Sequence, residues 1–431
     1  MAVFVLDKHK KPLMPCTEKR ARLLLERGRA VVHRMAPFTI RLKGRVVEQS
    51  RLQPLRLKLD PGSKTTGFAI LREDEDKTEA EAVVLGELHH KPGIKDKLDS
   101  RRVSRRNRRS RKTRYRQPRF NNRSRPSGWL PPSLEARVVQ TTNAVARLRK
   151  SLPISAISTE HVKFDTQLLQ NPHIAGIEYQ QGELAGYEIR EYLLEKWKRK
   201  CAYCGKATVP FEVEHIVPKS RGGSNRCSNL TLACHDCNKD KGAKTAEEFG
   251  HPEIQKRANL PLRDAAMMNA TRWRLLTRLK ETSLPVECGT GARTKKQRIE
   301  HNFLKTHYYD ACCVGASTPA NLVTLQEYVS IWKATGRGTR RMCNTDKYGF
   351  PKGHRQNKKN HFGFQTNDTV KADVPRGKYQ GNHTGRIAVR TNGYFDLKDI
   401  FGSRICQGIS HKHFRLVQRA DGWQYEKAKI A

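Results

Sequence analysis

Two C-x-x-C pairs constrain this chain more tightly than any other feature. Cys201-Ala202-Tyr203-Cys204 is answered downstream by Cys234-His235-Asp236-Cys237. Four thiolates in two such knuckles suit a closed, tetrahedral structural zinc. The segment they bracket is too short and polar to build a core of its own, so the metal would supply much of its folding energy. The chain has eleven cysteines, an odd number. In a large basic chain this spacing favours zinc over disulfides. Two correctly spaced pairs also argue against buried free thiols.

With 431 residues the chain exceeds one ordinary core, and several domains are expected. Lys and Arg total 84 against 42 Asp and Glu, a formal net charge of +42. Such a charge repels itself unless a polyanion neutralises it, which points to extensive contact with RNA or DNA. No apolar run approaches a spanning helix, and the start MAVFVLDKHK is no signal peptide. The expectation is a soluble intracellular protein, free of membrane.

Residues 1–50 read as a small basic unit. It has an apolar stretch Val3–Leu6, a turn-like KPLMPC at 11–16, an amphipathic stretch 19–28, and a strand-like run around Phe38, Ile40 and Leu42. Leu55, Leu57 and Leu59 alternate with Arg56 and Lys58 up to Asp60, which predicts a strand. Pro61-Gly62 then turns into a returning strand at 66–71, and a third strand is expected at 82–88. Residues 101–116 hold nine arginines and one lysine with almost nothing apolar. Having no face to bury, this run is expected to be a helix ordered by phosphate contact, with Arg101, Arg102, Arg105, Arg106, Arg108 and Arg109 binding nucleic acid. A helix over 133–150, a strand 154–159 ending on Glu160, a polar helix 183–198 and a helix near 304–316 with His307 and Asp310 follow. Residues 251–300 read as helical, then charged and loop-like. The chain from 319 onward is rich in Gly, Lys, Arg and aromatics, with short strands near 386–390 and 413–418.

Between the cysteine pairs lie Glu214-His215 and Asn229, and Asn238 follows the last cysteine. Phosphodiester hydrolysis needs a base to deprotonate water and a metal to offset charge on the phosphate. The segment resembles the HNH, or ββα-metal, nucleases. That resemblance implies a strand–loop–strand–helix around one Mg²⁺, with His215 as base and Glu214 and Asn238 as metal ligands. It further implies that Asn229 braces the loop and that Lys241 contacts phosphate. Many members carry Asp where this chain has Glu214, which keeps the charge and extends the reach.

A second set is dispersed. Asp60 and Glu160 end strands, and His307 and Asp310 lie at i and i+3 on one helix face. Three carboxylates from separate segments suit two Mg²⁺ in a two-metal site. LKLDPGSKTTGFAI, AISTEHVKF and THYYDACCVG resemble the three motifs of the RuvC nuclease, an RNase H-like α/β fold. The Arg-rich run falls between the first and second motifs, and the HNH segment between the second and third. That nested order, with KPLMPC near the start, resembles the IscB family of RNA-guided, transposon-associated nucleases related to type II CRISPR effectors.

The resemblance implies an α/β architecture with a RuvC core split in three. Its parts are an N-terminal PLMP domain at 1–53, RuvC part I at 54–98, an Arg-rich bridge helix at 99–125 and RuvC part II at 126–186. The HNH module follows at 187–250, RuvC part III at 251–320, and a C-terminal domain at 321–431 that meets RNA and a target-adjacent DNA motif. It implies a monomeric protein in a ribonucleoprotein with a structured guide RNA and double-stranded target DNA. The His215 site would cut the guide-paired strand and the Asp60 site the displaced strand. Two rivals stand beside this reading: a protein-only site- or structure-specific endonuclease, and a non-catalytic RNA-binding protein.

Overall fold

The computed structural model describes residues 2–430 except 75, 77, 111–128, 162–189, 191–192, 195, 208, 225–226, 260–264, 337–342, 355 and 400–401. Its contacts divide the chain into two units, Met1–His161 with Arg274–Ala431, and Val162–Trp273.

The first unit is built on one large sheet. Its strands run in the order Val286–Gly289, Ile154–Glu160, Leu55–Asp60, Thr65–Glu73, Glu79–His89, Tyr328–Ala334 and Trp423–Lys429. Leu55–Asp60, Thr65–Glu73 and Glu79–His89 form an antiparallel meander. Ile154–Glu160 joins the other side of Leu55–Asp60 in parallel, with Leu59 opposite Thr159, and Val286–Gly289 continues in parallel beyond it. The expected strands at 66–71 and 82–88 are therefore present and longer.

Alternation assigns each face. Leu55, Leu57, Leu59, Phe68 and Ile70 pack with Val138, Val145 and Leu148 of the helix Pro132–Ser151. Ala69 and Leu71 pack on the other side with Tyr308, Ala311 and Cys312 of the helix His307–Cys312. Burying each such large apolar side chain contributes about 1.5–3 kcal/mol. Both faces are covered, so the middle polar position of Leu55–Asp60 is not solvated. Lys58 is fully buried, donating to the Val314 carbonyl at 2.9 Å and to Thr318 Oγ1 at 2.7 Å. Burial pushes its ammonium down to about 8, against the pull of the Glu287 charge.

The N-terminal residues make a four-stranded sheet in the order Pro12–Cys16, Val3–Leu6, Thr39–Leu42, Ala30–Arg34, with the helix Glu18–Glu26 capped by Thr17. KPLMPC, expected as a turn, is mostly an edge strand. Proline is tolerated there because an edge position needs no inward N–H. Residues 369–418 include a five-stranded antiparallel sheet around Val370, Phe395 and Leu397. Tyr328–Ala334 and Trp423–Lys429 instead join the large sheet, where Trp332 is buried against Phe68, Trp423 and Tyr425.

The basic run is helical over Ile94–Ser110, and residues 111–125 of the expected bridge lie outside the described residues. Arg101, Arg102, Arg105, Arg106 and Arg108 are exposed and Arg109 is half-buried. Gly349 has φ +86°, and a Cβ there would lie 2.7 Å from Ser104 Cβ, so the hairpin turn of Cys343–Thr345 and Pro351–His354 approaches this helix as only glycine allows. Most of the expected helix 183–198 lies outside the described residues, as do 162–186 of the second RuvC part.

The second unit holds the hairpin Phe211–His215 with Leu230–Cys234 and the helix His235–Lys241. Trp197, Tyr203, Phe211, Ile216 and Leu232 form its small core. Among the described residues, no helix is long and apolar enough to cross a membrane.

Candidate active sites

The four cysteines meet as the spacing predicts. The sulfurs of Cys201, Cys204, Cys234 and Cys237 all lie within 4.8 Å of one another. Burial raises the Cys201 thiol, but backbone N–H groups of Cys204, Cys234 and Tyr203 outweigh it and bring it down to about 7. Burial and the neighbouring thiols push Cys237 the other way, so it is the closed Cys₄ geometry that fits a zinc ion.

The hairpin register places the chemistry beside this knuckle. His215 ends its strand opposite Leu230, and Glu214 lies opposite Thr231. Asn229 is buried and spans the loop between them. Its Oδ1 accepts from Val217 N at 2.9 Å, and its Nδ2 donates to the carbonyls of Val217 (3.0 Å) and Ser224 (2.9 Å). These three bonds set the backbone just after His215, as a bracing role requires.

Glu212 and Glu214 share one face of the strand, and the helix answers with residues one turn apart. Asn238 Nδ2 donates to Glu212 Oε2 at 2.6 Å, while Lys241 Nζ donates to Glu214 Oε1 at 2.6 Å and to the His215 carbonyl at 2.9 Å. The second Glu214 oxygen accepts from Tyr203 Oη at 2.6 Å. Glu214 and Lys241 are both buried, 6% and 1% exposed. Lys241, expected at the phosphate, is instead an internal counter-charge, because a buried carboxylate needs a paired cation. The structure thus brings Glu214 to Lys241 and Tyr203, and Asn238 to Glu212. Both carboxylates supply the hard oxygen donors that Mg²⁺ prefers.

The dispersed set converges on one end of the large sheet. Because Leu59 pairs with Thr159, Asp60 and Glu160 finish their parallel strands side by side. Thr306 caps the helix His307–Cys312, accepting from Tyr309 N at 3.2 Å. A Cβ at Gly67 would sit 1.9 Å from the His307 carbonyl, so glycine there lets this helix reach the strand ends. His307 Nδ1 lies 3.4 Å from Asp60 Oδ2. That contact holds the imidazole above its ordinary range. Asp310 is pushed up by burial and by the charge of Asp60, and it meets Arg298 Nε at 2.8 Å. Asp60, Glu160 and Asp310 do not close into a cluster as tight as the cysteines. Among the described residues only the four sulfurs form such a set of three or more. Their chemistry nevertheless fits divalent cations, since carboxylate oxygens are the hard donors such ions prefer.

Sequence reasoning missed Tyr203, Glu212 and Arg298. Glu212 carried one available signal, a second carboxylate two residues before Glu214 and hence on the same strand face. Arg298 carried none, since its partner is brought by tertiary packing.

Residues 201–252 match the HNH endonuclease family, and residues 3–182 match the RRXRR protein family. The segment around His215 is therefore an endonuclease domain. The two matches on one chain support its likeness to the IscB and Cas9 kind of RNA-guided nuclease. Among solved structures, the type II-C Cas9 enzyme from Actinomyces naeslundii is 14% identical, with 61% of this chain and 59% of that chain covered and a TM-score of 0.23. Streptococcus thermophilus Cas9 in complex with the GGAA PAM is 15% identical, with 63% and 32% covered and a TM-score of 0.22. This chain thus spans less than two thirds of the length of either. No curated protein matches it.

Proposed function

We propose that the chain is an RNA-guided double-stranded DNA endonuclease with two nuclease centres, one at His215 and one at Asp60. The observation that carries this reading is the pairing of an HNH domain with a second constellation on the same chain. There the strand ends at Asp60 and Glu160 face a helix bearing His307 and Asp310. The sheet that supports the second constellation has the antiparallel meander and two parallel strands expected of an RNase H-like RuvC core. The exposed arginines of Ile94–Ser110 and the net charge of +42 suit a guide RNA and its hybrid with DNA.

At the first centre His215 takes the proton of the attacking water on the guide-paired strand, with Asn229 setting its backbone. Glu214 and Asn238 would hold one Mg²⁺, which would offset charge on the phosphate when bound. Both Glu214 oxygens are engaged by Tyr203 and Lys241, so Glu214 would exchange one of these partners to take that role. At the second centre Asp60, Glu160 and Asp310 would hold two Mg²⁺ for cutting the displaced strand. His307, beside Asp60, accepts or returns a proton there. A Cys₄ zinc keeps the first centre folded.

Purified protein should carry a long RNA. Digesting that RNA should abolish cleavage of double-stranded DNA, and adding it back should restore cleavage. Full cleavage by RNA-free protein would replace this reading with that of a protein-only endonuclease.

A further inference from the structure

The ladder between the strand Phe211–His215 and the helix His235–Lys241 has one rung that the proposed reaction leaves without a task. Glu212 stands between two donors. Its Oε2 accepts from Asn238 Nδ2 at 2.6 Å, and its Oε1 lies 3.0 Å from His235 Nδ1. From this geometry we infer that Glu212 is a positioning residue, which orients the Asn238 amide so that its oxygen is presented to the metal of the His215 centre.

The argument runs from donor and acceptor chemistry. An ionised carboxylate only accepts hydrogen bonds, whereas an amide has one donating and one accepting end. Facing Glu212, Asn238 must present Nδ2, because its oxygen there would meet a like partial charge. The amide is planar, so fixing Nδ2 fixes Oδ1 on the opposite side. Oδ1 is the only end of the amide that can bind a hard cation, and among the described residues it accepts no hydrogen bond. The neighbouring rung cannot do this work, since both Glu214 oxygens engage Tyr203 and Lys241. His235 keeps Glu212 in place from the other side. The same two donors hold the Glu212 carboxyl below its ordinary range. Partners of this kind typically change metal affinity by about 10- to 100-fold when removed.

This inference rests on the metal role of Asn238 proposed above, and the test separates the two. The full chain with its RNA, carrying Asp60→Ala and Asp310→Ala to silence the other centre, is titrated with Mn²⁺ by electron paramagnetic resonance. Nicking is measured against Mg²⁺ concentration. Glu212→Ala should weaken Mn²⁺ binding about 10-fold or more and raise the Mg²⁺ requirement in parallel, with the rate at saturating Mg²⁺ falling far less. Glu212→Gln, whose amide oxygen still accepts from Nδ2, should recover both. Zinc content and melting temperature verify the fold. Should Glu212→Ala disturb them, the pair Glu212→Gln with Asn238→Asp decides, because it exchanges donor and acceptor. That pair should bind Mn²⁺ more tightly than Asn238→Asp alone, and failure to do so overturns the positioning role. Unchanged Mn²⁺ affinity in Glu212→Ala, or Glu212→Gln as weak as Ala, also overturns it. If Asn238→Ala weakens Mn²⁺ binding and Glu212→Ala does not, only the positioning role falls. If neither does, the metal reading of Asn238 falls with it.

Discussion

The zinc-knuckle unit and the large-sheet unit solve the same problem in opposite ways. In the first, every chemical residue lies between Cys201 and Lys241, and a hairpin and one short helix bring them together. Its core is small, and the cysteine cluster closes it. In the second, Asp60, Glu160, His307 and Asp310 are spread over some 250 positions, and they meet through strand register and a glycine-gated helix contact. Local assembly makes a site that depends on a metal staple. Dispersed assembly makes one that depends on a deeply buried sheet.

That contrast breaks most sharply at the two centres themselves. His215→Ala removes the proposed proton acceptor of one centre and should lower one strand's cleavage by about 10²- to 10⁴-fold, leaving the other intact. Asp60→Ala should do the converse, because it removes a carboxylate proposed to hold the metals. Strand-labelled DNA reads both. Loss of both cuts in either single variant, with folding and RNA content preserved, would refute independent centres.

The staple comes next. Cys201→Ser should reduce zinc from about one per chain to nearly none and unfold the knuckle unit, since a Cys₄ site supplies folding energy directly. The His215 cut should fall about 100-fold or more, while the Asp60 unit still melts cooperatively. Metal analysis with calorimetry tests this, and a zinc-free protein with an active His215 centre would remove the staple.

The buried sheet has its own sensitive point. Lys58→Ala should cost about 2–4 kcal/mol, because the Val314 carbonyl and Thr318 lose a buried donor. Lys58→Met, which fills the space without a charge, should cost less. The sign of the pH dependence follows from the depressed ammonium at about 8. Between that value and the ordinary 10.4 or so of an unfolded lysine, the unfolded chain binds more protons, so wild-type stability rises with pH. The gap between Lys58→Met and wild type should therefore shift in favour of wild type across that window. Chemical denaturation at pH 7.5 and 10 measures it, and a gap that does not move would place Lys58 in contact with water.

The smallest effect per residue belongs to neither centre. Replacing Arg101, Arg102, Arg105 and Arg106 together by alanine should weaken RNA binding and flatten its salt dependence, with metal content unchanged. Affinities across a salt series decide it. An unchanged slope would make the helix a solvated linker.

The same contrast governs what could be read before the fold was known. The Cys₄ set, His215 and Asn229 were legible because their partners are close in sequence and a hairpin leaves few ways to arrange them. The strand ending at Asp60 was legible from alternation, but the burial of Lys58 was not. Periodicity reports which residues share a face, not whether a helix covers it. The Arg298–Asp310 pair, the flush ends of Asp60 and Glu160, and the close approach of Gly67 to His307 depend on register and packing between distant segments. The strand face shared by Glu212 and Glu214 follows from sequence, because side chains alternate with period two. Which of them meets Asn238 and which meets Lys241 was decided only when the helix docked. Chain spacing sets which side chains share a face, but the offset between two packed elements sets which of them touch.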